Sequence, residues 1–314
     1  MASMSRRLTL TGLALVAAGG SFWMLRRQSG KAEAEVLYAA PLPAPEGALR
    51  VYHLGHSLVG RDMPAMLAQL AGAGHHYDSQ LGWGTSLKEH WEPDLPINGF
   101  DAENAHPRFR PATEAITSGT YDAVVLTEMV ELRDAIKYHD SARYLGQWAK
   151  LAHAANPKAR LYLYETWHHI NDPAGWKTRI DDDLDALWRE RVLYPALAQG
   201  GAPIHLIPAG QVMAAFARAV EKRGGVEGIT AVDDLFGMTD DGSRDTIHVN
   251  DLGAYLVALT HYAVLYHRDP SGLPHQLTRA DGSNADAPSA EAAALMQQVV
   301  WKVVQSMPET GVAG

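Results

Sequence analysis

Four short apolar runs, each followed by a helical pattern, limit what this chain can fold into more than any other feature. They are Arg50 to Leu54, Ala123 to Leu126, Leu161 to Tyr164 and Ile204 to Ile207. A strand buried on both faces reads as a continuous apolar run, and parallel strands are joined by helical crossovers. The alternation therefore predicts an α/β fold with a mostly parallel central sheet. Tyr77 to Leu81 is a weaker strand. Helices are expected to start near Asp62 and to cover Asp140 to Ala155 and Ile180 to Leu197. Another follows the last strand and stops at Gly224-Gly225. Two more are expected from Asn250 or Asp251 through Tyr262 and from Ser289 to Val304. Residues 93 to 112, with several Pro, Asn and Gly, read as a surface excursion.

The 314 residues are within reach of one large domain, and 46% apolar with 20% charged residues predicts a full core. A net charge of -9 argues against a nucleic-acid or anionic-membrane surface, which reward basic patches. With 0 Cys, thiol catalysis, Cys-ligated zinc, disulfides and a lipobox cysteine are all excluded. Residues 1 to 30 read as an export signal or membrane anchor. Ser5-Arg6-Arg7 precedes the apolar stretch Leu8 to Leu25, and Arg26-Arg27 follows it. Ser-Arg-Arg-Leu-Thr-Leu resembles a twin-arginine signal, and an ordinary Sec signal or signal anchor fits the same residues. Cleavage after Ala18 or Ala34 and retention as an anchor all stay open, since the stretch is only just long enough to span. Residues 31 to 47, with Pro41, Pro43 and Pro45, read as a stiff linker. That leaves residues 48 to 314 as a single domain outside the cytoplasm, periplasmic or anchored facing the periplasm.

Gly55-His56-Ser57-Leu58 follows the first apolar run, and Asp245-Thr246-Ile247-His248 precedes a helix. A serine hydroxyl is a poor nucleophile until a base takes its proton. A carboxylate three residues from a histidine can orient the imidazole and stabilise its charged form. Ser57 alone also reads as a helix cap, and the acids around Asp233 and Asp240 allow a surface turn for the second segment. The α/β-hydrolase elbow Gly-x-Ser-x-Gly is not matched. Of the 15 His, the adjacent pairs His75-His76 and His168-His169 diverge, and His53 and His56 fall on opposite strand faces. No His-x-x-x-His lies on a helix, so neither a metal nor another cofactor is expected.

With Gly84 of Gly82-Trp83-Gly84-Thr85, these segments carry a resemblance. Over roughly residues 49 to 268 the chain resembles the SGNH (GDSL-like) hydrolase superfamily. The resemblance implies a flavodoxin-like three-layer α/β/α sandwich. It makes Ser57 the nucleophile, His248 the general base and acid, and Asp245 its orienting partner. The N–H groups of Ser57 and Gly84 become oxyanion donors. The family's third block supplies an Asn, but here the strand runs into Thr127-Glu128, as in a subset with the Asn replaced. A charged Glu128 opposes an oxyanion unless it is protonated, positions another donor or binds substrate. Thr127, Glu128, Trp83 and Trp167 are the substrate-binding candidates, the two Trp either as faces for a sugar ring or as packing. The implied activity is hydrolysis of O-acyl esters, O-acetyl above all, on a small molecule or polysaccharide. An O-acyltransferase on the same triad and a catalytically weakened carbohydrate-binding or envelope protein remain as alternatives.

Overall fold

The apolar runs become the parallel strands of one sheet. In the computed structural model, which describes residues 30–314, these are β1 (Arg50–His56), β2 (His76–Gly82), β3 (Ala123–Thr127), β4 (Arg160–Glu165) and β5 (Ile204–Pro208). They are ordered β2-β1-β3-β4-β5 and every pair is parallel. This is the flavodoxin-like order, in which the chain reverses direction across the sheet between β1 and β3 and leaves a crevice at the strands' carboxyl ends.

Alternate residues serve opposite layers. Val51, Ala123, Val125, Tyr162 and Ile207 pack with helices α1 (Asp62–Ala71), α3 (Ala209–Arg223), α4 (Asp251–Tyr266) and α5 (Ala290–Ser306). Tyr52, Leu54, Val124, Leu126, Leu161 and Leu206 pack on the other face with α2 (Ser141–Ala155) and the helical stretch up to Leu197. Asn250 caps α4 by accepting from the amides of Leu252 and Gly253, and Ser289 caps α5.

Three segments depart from the sequence reading. The residues taken for a linker are helical at 30–37, and Ala34 is buried in the second layer. The Tyr38 hydroxyl donates to Ile204 O at 2.6 Å, and Leu42 N–H donates to Gly311 O at 2.8 Å. These contacts dock the segment as a strap. The expected helix from Ile180 to Leu197 begins at Trp176 and turns π-helical over Leu184–Leu193. The Asp-x-x-His segment, expected in a loop, is strand β7 (Arg244–Val249) of a hairpin with β6 (Phe236–Met238). The signal or anchor expected over residues 1 to 30 lies, apart from residue 30, outside the described residues. Among those described, no helix is long and apolar enough to cross a membrane.

Candidate active site

Ser57 is the first residue after β1, directly above the His56–Gly82 pair that ends the β1–β2 ladder. Gly55 precedes it because a Cβ there would meet Thr127 Cγ2 at 2.3 Å; the two strands leave room only for hydrogen. The turn is then fixed from three sides. The Tyr164 hydroxyl donates to Leu58 O at 3.0 Å. His56 Nε2–H donates to Glu128 O at 2.8 Å, and its Nδ1 accepts from Leu58 N–H at 3.3 Å. His90 Nε2–H donates to Gly55 O at 2.8 Å, while Gln80 donates to its Nδ1 at 2.9 Å. Each ring has one donor and one acceptor bond, which fixes a neutral tautomer. Burial pushes both imidazoles down to about 4, against the favourable carbonyl contact each makes.

Ser57 and His248 are 191 residues apart in sequence, and the fold brings their side chains together. The Ser57 hydroxyl lies 2.9 Å from His248 Nε2, and His248 Nδ1 lies 2.8 Å from Asp245 Oδ2. The other carboxylate oxygen of Asp245 accepts from the amides of Ile247 at 2.8 Å and His248 at 2.9 Å. Partial burial works against ionisation of Asp245, but these amides and the His248 ring hold its carboxyl below the usual range. An ionised Asp245 requires the proton on Nδ1, so Nε2 offers its lone pair to the serine hydroxyl.

This relay opens into a cavity of about 590 Å³, whose walls include Ser57, His248, Gly84, Trp83, Glu103 and His169. Gly84 has φ +56°, and a Cβ there would meet no atom within 4 Å. Its N–H has no hydrogen-bond partner among the described residues. Trp83 is 55% exposed; its Nε1–H donates to Glu103 at 2.7 Å, and its ring lies over Gly99, where a Cβ would come within 2.2 Å.

The other three substrate-binding candidates lie elsewhere. Thr127 is buried and donates to Tyr164 O at 2.8 Å. Glu128 follows β3 into the buried layer, where Oε1 accepts from Leu87 N–H at 3.2 Å and Met129 N–H at 2.8 Å. Burial raises its carboxyl to about 7, and it does not line the cavity. Trp167 is 1% exposed, so it offers no face to a sugar; its Nε1–H donates to Ile247 O at 2.8 Å. Ile170 N–H donates to Thr246 O at 2.9 Å, and His169 Nδ1 lies 2.8 Å from the Thr246 hydroxyl. Residues 167 to 170 therefore clamp the strand that carries His248.

Glu103 and His90 were not singled out in the sequence, and Tyr164 and His169 were named there without a role in the site. Tyr164 and His169 had a signal, at the end of a strand that reaches the crevice and in the segment that follows it. His168 turns away from His169 toward Asp183 at 3.2 Å. Among the described residues no group of three or more His, Asp or Glu is arranged to hold a metal ion.

No family model matches the chain, and no curated protein matches it. Two solved structures are similar to part of it. One is a carbohydrate esterase family 2 enzyme with a carbohydrate-binding domain from Corynascus thermopiles (Myceliophthora fergusii), 12% identical over 53% of this chain, with TM-score 0.30. The chain spans 57% of that protein's length. The other is a carbohydrate esterase family 3 protein from Talaromyces cellulolyticus, 16% identical over 69% of this chain and 96% of its own, with TM-score 0.32. Neither likeness assigns this chain to a family.

Proposed function

We propose that this chain is a serine-dependent ester hydrolase. The observation that carries the reading is the unbroken relay from Ser57 through His248 to Asp245, with its serine end in an open cavity. The Ser57 oxygen attacks the acyl carbonyl as His248 Nε2 takes the hydroxyl proton. Collapse of the tetrahedral intermediate expels the alcohol, which receives that proton from His248, and leaves an acyl-enzyme. Water activated by His248 then releases the acid. The developing oxyanion is assigned to the N–H groups of Gly84 and Ser57, with no contribution from the Glu128 side chain.

The finer reading is an O-acetyl ester of a carbohydrate. The exposed, braced Trp83 ring beside the nucleophile supports a sugar, whose C–H face can lie on it. The family resemblance of the three sequence blocks implies an O-acyl ester, which we narrow to acetyl, and action outside the cytoplasm rests on the N-terminal sequence alone. Turnover of p-nitrophenyl acetate and labelling by a fluorophosphonate test the chemistry. Both are expected in the wild type and absent in Ser57→Ala. Equal labelling and turnover of the two proteins would sink the reading.

A further inference from the structure

Beside the relay lies a second pocket, of about 250 Å³, with Gly60, Arg61, Tyr77, His106, Arg108 and Ala280 in its walls. Its lining contains no carboxylate. It shares Gly60 and Arg61 with a smaller cavity that also holds Ser57 and His248, so the two adjoin.

Neither arginine has a carboxylate partner among the described residues. Arg61 donates through Nε to Glu103 O at 3.2 Å and through Nη2 to Ala102 O. Arg108 lies with Cζ 5.1 Å from the centre of the Tyr77 ring and donates through Nη1 to His76 Nδ1 at 3.1 Å. Both guanidiniums keep free N–H donors. His106 lines the same pocket. Its Nδ1 accepts from Arg108 N–H at 3.2 Å, which in the neutral ring puts the proton on Nε2. That Nε2 is buried and unpartnered. Two guanidiniums without carboxylate partners in the walls of one pocket are the complement of an anion.

The acids nearby are occupied. Asp62, Glu103 and Asp281 line a further cavity beside Arg61; Asp62 also lines the one that holds Ser57, as does Asp251, which is paired with Arg279, and Glu103 also lines the main cavity. Asp62 accepts from Ala280 N–H, Glu103 from Trp83, and Asp281 from Ser283.

We propose that this pocket is a subsite for an anionic group, a carboxylate or a sulfate, carried by the alcohol part of the ester that Ser57 attacks. The substrate is then an acylated acidic saccharide lying across the adjoining cavities from Trp83 past Ser57 to Arg108. The proposal rests on the esterase reading for the word ester, and on the pocket alone for the anion.

Binding to the Ser57→Ala protein separates the two. The probes are an oligogalacturonate, a sulfated galactan oligosaccharide and a neutral xylo-oligosaccharide of equal length, at low and raised salt. One anionic probe is expected to bind at least about tenfold more tightly than the neutral one, and salt is expected to erode the difference. Arg61→Gln and Arg108→Gln should each remove most of that preference, and Arg108→Lys should restore part of it. Which probe wins tells carboxylate from sulfate. Equal binding of all three, or a preference that survives both glutamine substitutions, overturns the proposal. Anion preference without Ser57-dependent turnover of p-nitrophenyl acetate in the wild type would keep the subsite and remove the esterase. Turnover without preference would remove the subsite alone.

Discussion

Asp245 accepts from two amides and one imidazole, so its charge and its direction are both fixed before any substrate arrives. Replacing it with Asn leaves the shape but lets the side-chain amide donate to Nδ1, which drives the His248 proton to Nε2. Asp245→Asn is expected to lower kcat for p-nitrophenyl acetate by about 10⁴-fold with a stable fold, by analogy with the same change in serine proteases. A loss under tenfold would show that the carboxylate does not set the tautomer. Glu128 is the opposite case. It stands where the family's Asn was expected, yet its side chain points away from the cavity into the protein. Its Oε2 is buried beside the Ser141 hydroxyl, and neither group has any other hydrogen-bond partner. Glu128→Gln should therefore keep turnover within about threefold and raise stability at pH 8, where the wild type must hold a buried carboxylate. Urea unfolding at pH 5 and pH 8 checks this; a large loss of kcat would return Glu128 to the reaction.

Between the elements, the decisive contact is the clamp from the end of β4 onto β7. Trp167→Phe keeps the apolar volume but leaves Ile247 O without its donor, at a cost of about 1–3 kcal/mol if the carbonyl stays buried. Because Ile247 adjoins His248, kcat is expected to fall about tenfold while KM for p-nitrophenyl acetate changes little. A change in KM alone would mean that Trp167 reaches the substrate. This contact also marks the limit of what the chain's letters disclose. β1, β3, β4 and β5 are legible because strands buried on both faces must be continuously apolar. β2 is faint because Asp78, Ser79 and Gln80 are buried polar residues on an edge strand. Asp78 accepts from Tyr121 and Gln80 bonds to His90, partners that only the fold supplies. Ser57, Asp245 and His248 are legible as residue types in order. The burial of Trp167 is not, since an indole suits a sugar face and a core equally. The hairpin is hidden because β7 is half-exposed, without an apolar run, and β6 has only 3 residues.

Across the whole molecule, buried titrating groups pull stability in two directions. His56, His90 and His261 are fully buried, and burial lowers each from 6.5 to about 4. In that window the unfolded chain binds protons the folded one refuses. Each histidine therefore removes up to about 1.4 kcal/mol per unit as pH falls from 6.5 to 4. Glu128 and Glu165 are raised by burial from 4.5 to about 7 and about 8. For these the folded state holds the extra proton, so stability is full below 4.5 and is lost as pH rises through 7 and 8. Between 4.5 and 6.5 the histidines outnumber the carboxyls; above 6.5 only the carboxyls still act. Thermal unfolding is expected to show its highest Tm near pH 6.5 and to fall on both sides. A Tm that climbs steadily from pH 6.5 to 8 would contradict this balance.

The placement of the base on a late hairpin also has a consequence in time. A ribosome makes Ser57 early and His248 191 residues afterwards. Throughout that interval the growing chain carries a serine with nothing to deprotonate it. On the proposed esterase reading, esters in the compartment of synthesis are thus spared until His248 has been made and has folded back to the first strand.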